Sequence, residues 1–398
     1  ERSYVWAVTR SGIEGFRLRG RTEIQRAAEG FRDLIAAYGL PKPGENDKQY
    51  LDRLREFPQQ YAQRAAELSQ LILGPVAGRI GSKRLVIVAD GALQFIPFEA
   101  LFTLGADNAR QPLGITNEVV YLPSVSTLAL IRALPRGRSA TRNVAVFADP
   151  VFGTNDDRVA AAHRRTTPAS QGAGKLVALS RALRDVDLTA GDATLERLLY
   201  TRHEADAIMS VVPVGSGMKA MGFSASRSNA TSPKVSGYKI VHFATHALLD
   251  DKRPELSGLV MSLVDEGGHP QDGFLRLGDI YNLNLPVDMV VLSACRTGIG
   301  REVSGEGLIG LTRGFMYAGA SKVVATLWKV DDEATAVFMK SFYRHMLKEG
   351  MPPSSALRFA RSEVMQARAE WRSPYFWAGF VLQGDWRRSQ LDQPPPKK

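Results

Sequence analysis

The strongest constraint on this chain is a set of short, almost wholly apolar runs separated by segments of helical periodicity. They fall at residues 84–89 (RLVIVA), 144–148 (VAVFA), 238–243, 289–293 and 322–327. A strand with one wet face alternates apolar and polar residues, so a near-continuous run belongs to a strand covered on both faces, as in a parallel sheet. Shorter strands are expected at 119–122 and 380–382. Helices are expected from Ser124 or Ser126 and over 306–318, 333–348 and 354–369. Strand alternating with helix predicts a doubly wound α/β fold.

The flanks are less regular. Residues 3–19 read as two short strands around Ser11-Gly12, and 24–38 as a helix with Ile24, Phe31 and Ile35 on one face. Residues 47–73 read as a longer helix, bent near Pro58. Residues 153–175 read as a mobile surface loop, and 216–236 as a polar connector. Within the first, Gly172-Ala173-Gly174-Lys175 resembles the end of a phosphate-binding loop. Leu176 replaces its Ser/Thr and Ala169 its first glycine, so no phosphate site is expected. The expected division is 1–80, strands and helices on the core; 81–200 and 201–390, two α/β halves; and 391–398, a disordered tail.

Of 398 residues, 44% are hydrophobic and 23% charged, which suits a globular chain with a sizeable core. Cys295 is the single cysteine, which excludes internal disulfides and multi-cysteine zinc sites and fits a reducing, cytoplasmic setting. No apolar run reaches the roughly 18 residues of a membrane span. The chain starts at Glu1 rather than Met, which points to a fragment of something longer. The net charge of +10 raises nucleic acid as a partner. The basic residues are spread without an aromatic-basic stripe, so nucleic acid is not expected as a direct ligand.

Two reactive side chains follow two of the apolar runs. Ile240-Val241-His242-Phe243-Ala244-Thr245 leads into His246-Ala247, and Met289-Val290-Val291-Leu292-Ser293 leads into Ala294-Cys295-Arg296-Thr297-Gly298. Open α/β sheets bind ligands at the carboxyl ends of their strands. A thiol near pKa 8.5 is mostly protonated at neutral pH, and a neighbouring imidazole can activate it and later protonate a leaving amine. The N–H groups of Ala247 and Cys295 are candidate donors to the oxyanion. His242, roughly 13 Å from His246 in extended chain, is too far to share a metal and reads as structural.

These residues resemble the CHAT domain family, caspase-like cysteine peptidases related to separase. The resemblance runs through "VHFATHA", "LSACRTG", "GEGLIGLTRGFMYAGASKVVATLWKVDDEATAVFMKSFY" and "SPYFWAGFVLQGDW", and in front through "LVIVADGALQFIPFEAL", "YLPSVSTLAL" and "VAVFADPVFG". It implies a caspase-hemoglobinase-like three-layer α/β/α fold with a mostly parallel sheet, an inactive caspase-like half followed by an active one. It implies a His246/Cys295 dyad, with Ala247 where many members carry glycine. Neither cofactor nor metal is expected. The related separases carry an L-W-x-V-x-D stretch. By that match Asp332, in Leu327-Trp328-Lys329-Val330-Asp331-Asp332, lines a pocket for a basic side chain. Against this, Asp331 or Asp332 can cap the helix that follows. Glu306 reads as a helix-dipole partner, and Trp328 and Trp377 as core or pocket wall. Segment 249–257 reads as an exposed loop bordering the cleft, and 296–305 as a mobile loop that gates the site.

The function expected is a cysteine endopeptidase acting on specific partner proteins, controlled by a repeat region, often tetratricopeptide in this family, or by an activating partner. The alternative is a catalytically silent interaction scaffold.

Overall fold

The apolar runs become neighbouring strands, but not in the order of the sequence. The computed structural model describes residues 2–104, 111–133, 140–163, 195–250, 253–293, 295–297 and 306–387. Its strands are β1 (Ser3–Thr9), β2 (Gly12–Leu18), β3 (Leu85–Ile87), β4 (Val119–Tyr121), β5 (Arg142–Ala148), β6 (Gly217–Met221) and β7 (Tyr238–Ala244). They continue as β8 (His246–Leu248), β9 (Gly258–Val260), β10 (Phe274–Arg276), β11 (Met289–Leu292), β12 (Cys295–Thr297), β13 (Lys322–Thr326) and β14 (Phe380–Gly384). The main sheet has eight strands in the order β3-β4-β14-β13-β11-β7-β5-β6. All its neighbours are parallel except β13 and β14. The fold is the expected α/β class with a large, mostly parallel sheet.

Alternation along β7 shows why its run is apolar on both sides. His242 faces Glu204 of the helix Leu199–Met209 and Tyr343 of the helix Asp332–Leu347. Phe243, one residue on, meets Phe147 of β5 at 5.4 Å and Phe315 of the helix Glu306–Tyr317 at 5.7 Å. Helices therefore cover both faces, giving three layers. These three phenylalanines are essentially fully buried, contributing about 1.5–3 kcal/mol each.

Several expectations are corrected. The run at 84–89 is not covered on both faces: β3 is an edge strand, and Val86 and Val88 are 39% and 48% exposed. The polar stretch 216–236 holds the opposite edge strand, β6; its edge position tolerates Lys219, which ion-pairs with Asp206. Within 153–175, Asp157–His163 is helical, led in by the Asp156 carboxylate accepting from Arg158 N–H at 2.9 Å. Gly172–Lys175 and 391–398 lie outside the described residues.

In front of the sheet, β1 and β2 pair as an antiparallel hairpin. The helix Asp47–Leu73 runs through Pro58 as one element and begins in a capping box between Asn46 and Gln49. It packs on the helix Arg21–Ala36 through Phe31 and Tyr61, while Tyr61 Oη donates to Ala100 O at 2.8 Å. The Tyr38 ring lies 5.6 Å from that of Tyr375, which ties the front lobe to the end of the chain.

A second sheet, in the order β10-β9-β8-β12, has no counterpart in the sequence reading. Its strands are three residues long, too short for a visible two-residue period. Its place matters most. The adjacent main-sheet strands β7 and β11 hand their chains on to β8 and β12, adjacent in the small sheet.

Candidate active site

That hand-over sets the register of the two residues singled out by their chemistry. β8 and β12 run parallel, with Cys295 opposite His246, Arg296 opposite Ala247 and Thr297 opposite Leu248. Paired strands lie about 4.8 Å apart, so the 49 residues between His246 and Cys295 in sequence collapse to one strand spacing. Ala247 is buried, with Leu259 of β9 in register on its other side.

The surroundings of His246 fix its tautomer. Its Nε2 lies 2.8 Å from the backbone carbonyl of Glu196. A carbonyl only accepts, so Nε2 carries the proton and Nδ1 holds the lone pair. Nδ1 is buried and has no hydrogen-bond partner among the described residues. The ring leans on Phe152 at 5.1 Å and 47°. Burial pushes the imidazole pKa below its ordinary value and the Lys329 charge adds to this, with the Glu196 carbonyl opposing. The lowered pKa favours the neutral imidazole, with Nδ1 as its basic nitrogen.

The acidic pair at 331–332 divides its work. Asp331 is the N-cap of Asp332–Leu347, its Oδ1 accepting from Ala334 N–H at 2.9 Å. Asp332, in the first turn, is partly buried. Burial raises its pKa, and the charges of Asp331 and Glu204 add to that, while Lys329 pulls it down. The Lys329 charge acts in the same direction on both groups, lowering the pKa of His246 and of Asp332.

His242 stands apart, fully buried between the Tyr343 hydroxyl at 3.0 Å and Glu204 Oε1 at 3.1 Å. Trp328 and Trp377 are core residues, their Nε1–H groups donating to the carbonyls of Tyr375 and Arg372 at 3.0 and 3.3 Å. The segment expected as an exposed loop after His246 has buried ends, Leu249 and Ser257, held by Ser257 Oγ accepting from Asp250 N–H. The loop expected from 296 onward is strand through Thr297; residues 298–305 lie outside the described residues. Among the described residues no group of three or more His, Cys, Asp or Glu could hold a metal ion, and no helix is long and apolar enough to cross a membrane.

Glu196 and Phe152 were missed by sequence reasoning. Glu196 acts through its carbonyl, which no side-chain pattern reports. Phe152 did carry a positional signal, since it follows the carboxyl end of β5, the neighbour of β7.

A family model described as the CHAT domain matches residues 62–385. Tetratricopeptide repeat protein 28 of Mus musculus is 26% identical over 382 residues, 92% of this chain and 15% of that protein. The Homo sapiens protein of the same name is 27% identical over 318 residues, 77% of this chain and 12% of its own length. The chain thus spans well under a fifth of these relatives. Among solved structures, the Saccharomyces cerevisiae separase–securin complex superposes with a TM-score of 0.48 at 10% identity, over 93% of this chain and 28% of that one. The Arg-specific cysteine proteinase gingipain R superposes at 0.40 and 11%, over 92% and 75%.

Proposed function

Because the chain belongs to the CHAT domain family, we propose that it is a cysteine endopeptidase acting through His246 and Cys295. The observation that carries this reading is the register of Cys295 opposite His246, whose buried Nδ1 has no hydrogen-bond partner among the described residues. In the proposed reaction Nδ1 takes the thiol proton and the sulfur attacks the scissile carbonyl carbon. The oxyanion is held by the N–H groups of Cys295 and Ala247. The imidazolium returns the proton to the leaving amine, and the C–N bond breaks to leave a thioester. Water, deprotonated by the same nitrogen, hydrolyses the thioester and regenerates the thiol.

Asp332 is the proposed partner of a Lys or Arg before the scissile bond, since Asp331 is occupied by its cap. The substrate is a partner protein. Control by a repeat region, proposed as tetratricopeptide, has its support in the names of the relatives, of which this chain matches a minor part.

The test is cleavage of a peptide library by the protein and by Cys295→Ala. Cleavage that persists in the variant refutes the mechanism. Cleavage lost in the variant, with a preference other than Lys or Arg, keeps the dyad and removes Asp332 from the pocket. No cleavage by either protein favours the silent scaffold.

A further inference from the structure

Among the described residues, the Glu196 carbonyl and the Phe152 ring that meet His246 lie on segments next to one buried carboxylate, Asp149. Asp149 directly follows β5, is fully buried, and has φ of 48°, the one positive value at a non-glycine residue among the described residues. Asp is among the few side chains that tolerate this region. Arg197 grips it with a two-pronged fork, Nε to Oδ1 and Nη2 to Oδ2, both at 2.9 Å. Arg202 and Arg158 each reach Oδ2 at 3.0 Å.

We propose that Asp149 and Arg197 are positioning residues for His246, a clamp that aims the Glu196 carbonyl at Nε2 and seats Phe152 against the ring. This rests on the reading of His246 as the base. The Glu196 carbonyl belongs to the peptide unit joining it to Arg197, and that unit is planar. Fixing Arg197 by a fork that sets both distance and orientation therefore fixes where the carbonyl points. On the other side, Asp149 leads through Pro150, whose φ is locked, to Val151 and Phe152. Val151 is held by its N–H donating to Ser262 Oγ at 3.0 Å and its carbonyl accepting from Leu263 N–H at 2.8 Å. One carboxylate thus organises the two segments that meet at the imidazole, as groups behind a catalytic histidine must if its tautomer is to be set.

The test uses the 398-residue chain with 15N-labelled histidine, the His246 resonances among the six histidines being assigned with His246→Gln. Wild type should show a protonated Nε2 and a bare Nδ1. Arg197→Gln should release the ring into exchange between tautomers. Arg202→Gln removes a guanidinium from the same carboxylate but not from the Glu196 segment, and should leave the tautomer fixed. Should the glutamine variant unfold, Arg197→Lys keeps the charge without the fork and should give the same release. Where the wild type cleaves, Arg197→Gln should lower kcat about 100-fold with little change in KM, the cost of a misplacement near 1 Å. A tautomer that stays fixed in the folded Arg197 variants, or one released equally by Arg202→Gln, overturns the proposal. The resonance readout needs no turnover, so an inactive wild type with the expected resonances sinks the peptidase reading and leaves only the tautomer clamp, without its catalytic role.

Discussion

Asp332→Asn should weaken selection for a basic side chain while leaving the cleavage machinery intact. The two carboxylates at the start of Asp332–Leu347 make this a clean perturbation, because Asp331 is bound to Ala334 N–H and Asp332 is not its cap. A guanidinium about 4 Å from a carboxylate gains about 4 kcal/mol at an effective dielectric of about 20. Asp332 is partly exposed and already feels Lys329, so about half of that is a reasonable net value. Two kcal/mol corresponds to about a 30-fold loss in kcat/KM for an Arg peptide relative to a neutral one. Asp331→Asn is the control, since Asn caps about as well as Asp and the preference should stay. Burial and the neighbouring carboxylates raise the Asp332 pKa, and only the ionised form attracts a cation. Selectivity should therefore fade with falling pH earlier than an ordinary aspartate, near 3.9, would allow. Matched fluorogenic peptides assayed for both variants provide the measurement. An unchanged Arg preference in Asp332→Asn, or its loss in Asp331→Asn alone, refutes the reasoning.

Two further outcomes follow from the buried groups. In the Cys295→Ala background, the His246 ring should titrate below the ordinary 6.5, because burial disfavours its charged form. The unfolded chain then takes up a proton before the folded one, so the His246 contribution to stability is present above about pH 6.5 and shrinks as pH falls toward the depressed folded value. Urea melts against His246→Gln isolate this, and an NMR titration at or above 6.5 contradicts it. Glu99→Gln should cost about 4 kcal/mol, or about 5 °C in Tm for a chain this long, because it strands the buried Arg361 guanidinium now held by Glu99 Oε1 at 3.0 Å. Glu99→Leu with Arg361→Met should recover most of the loss in thermal melts; a double variant no better than the single would mean that the pair is not the source.

The main sheet was legible because burial on two faces leaves an unmistakable composition, and β5, β7, β11 and β13 all lie where their apolar runs stand. Edges were not. Val86 and Val88 look like core by type, and their exposure of 39% and 48% at an edge strand shows only in the structure. β6, with Lys219 in a methionine-and-glycine stretch, carries too little apolar signal to stand out. The chemistry of His246 and Cys295 could be read from residue type and strand-end position. Their supports could not, because a carbonyl at Glu196 and an arginine fork on Asp149 depend on segments brought together over about 50 residues.

β14 separates β4 from β13, so the strand that joins the early β3–β4 pair to the rest of the sheet is the last of the described strands. During synthesis the chain emerges in order, and the sheet cannot close until residues 380–384 have left the ribosome. Every shorter nascent chain leaves facing edges of β4 and β13 without their common neighbour, and long-range pairings of this kind are slow to form. A chain stalled or truncated before these residues exposes two pairing edges, a ready target for quality control.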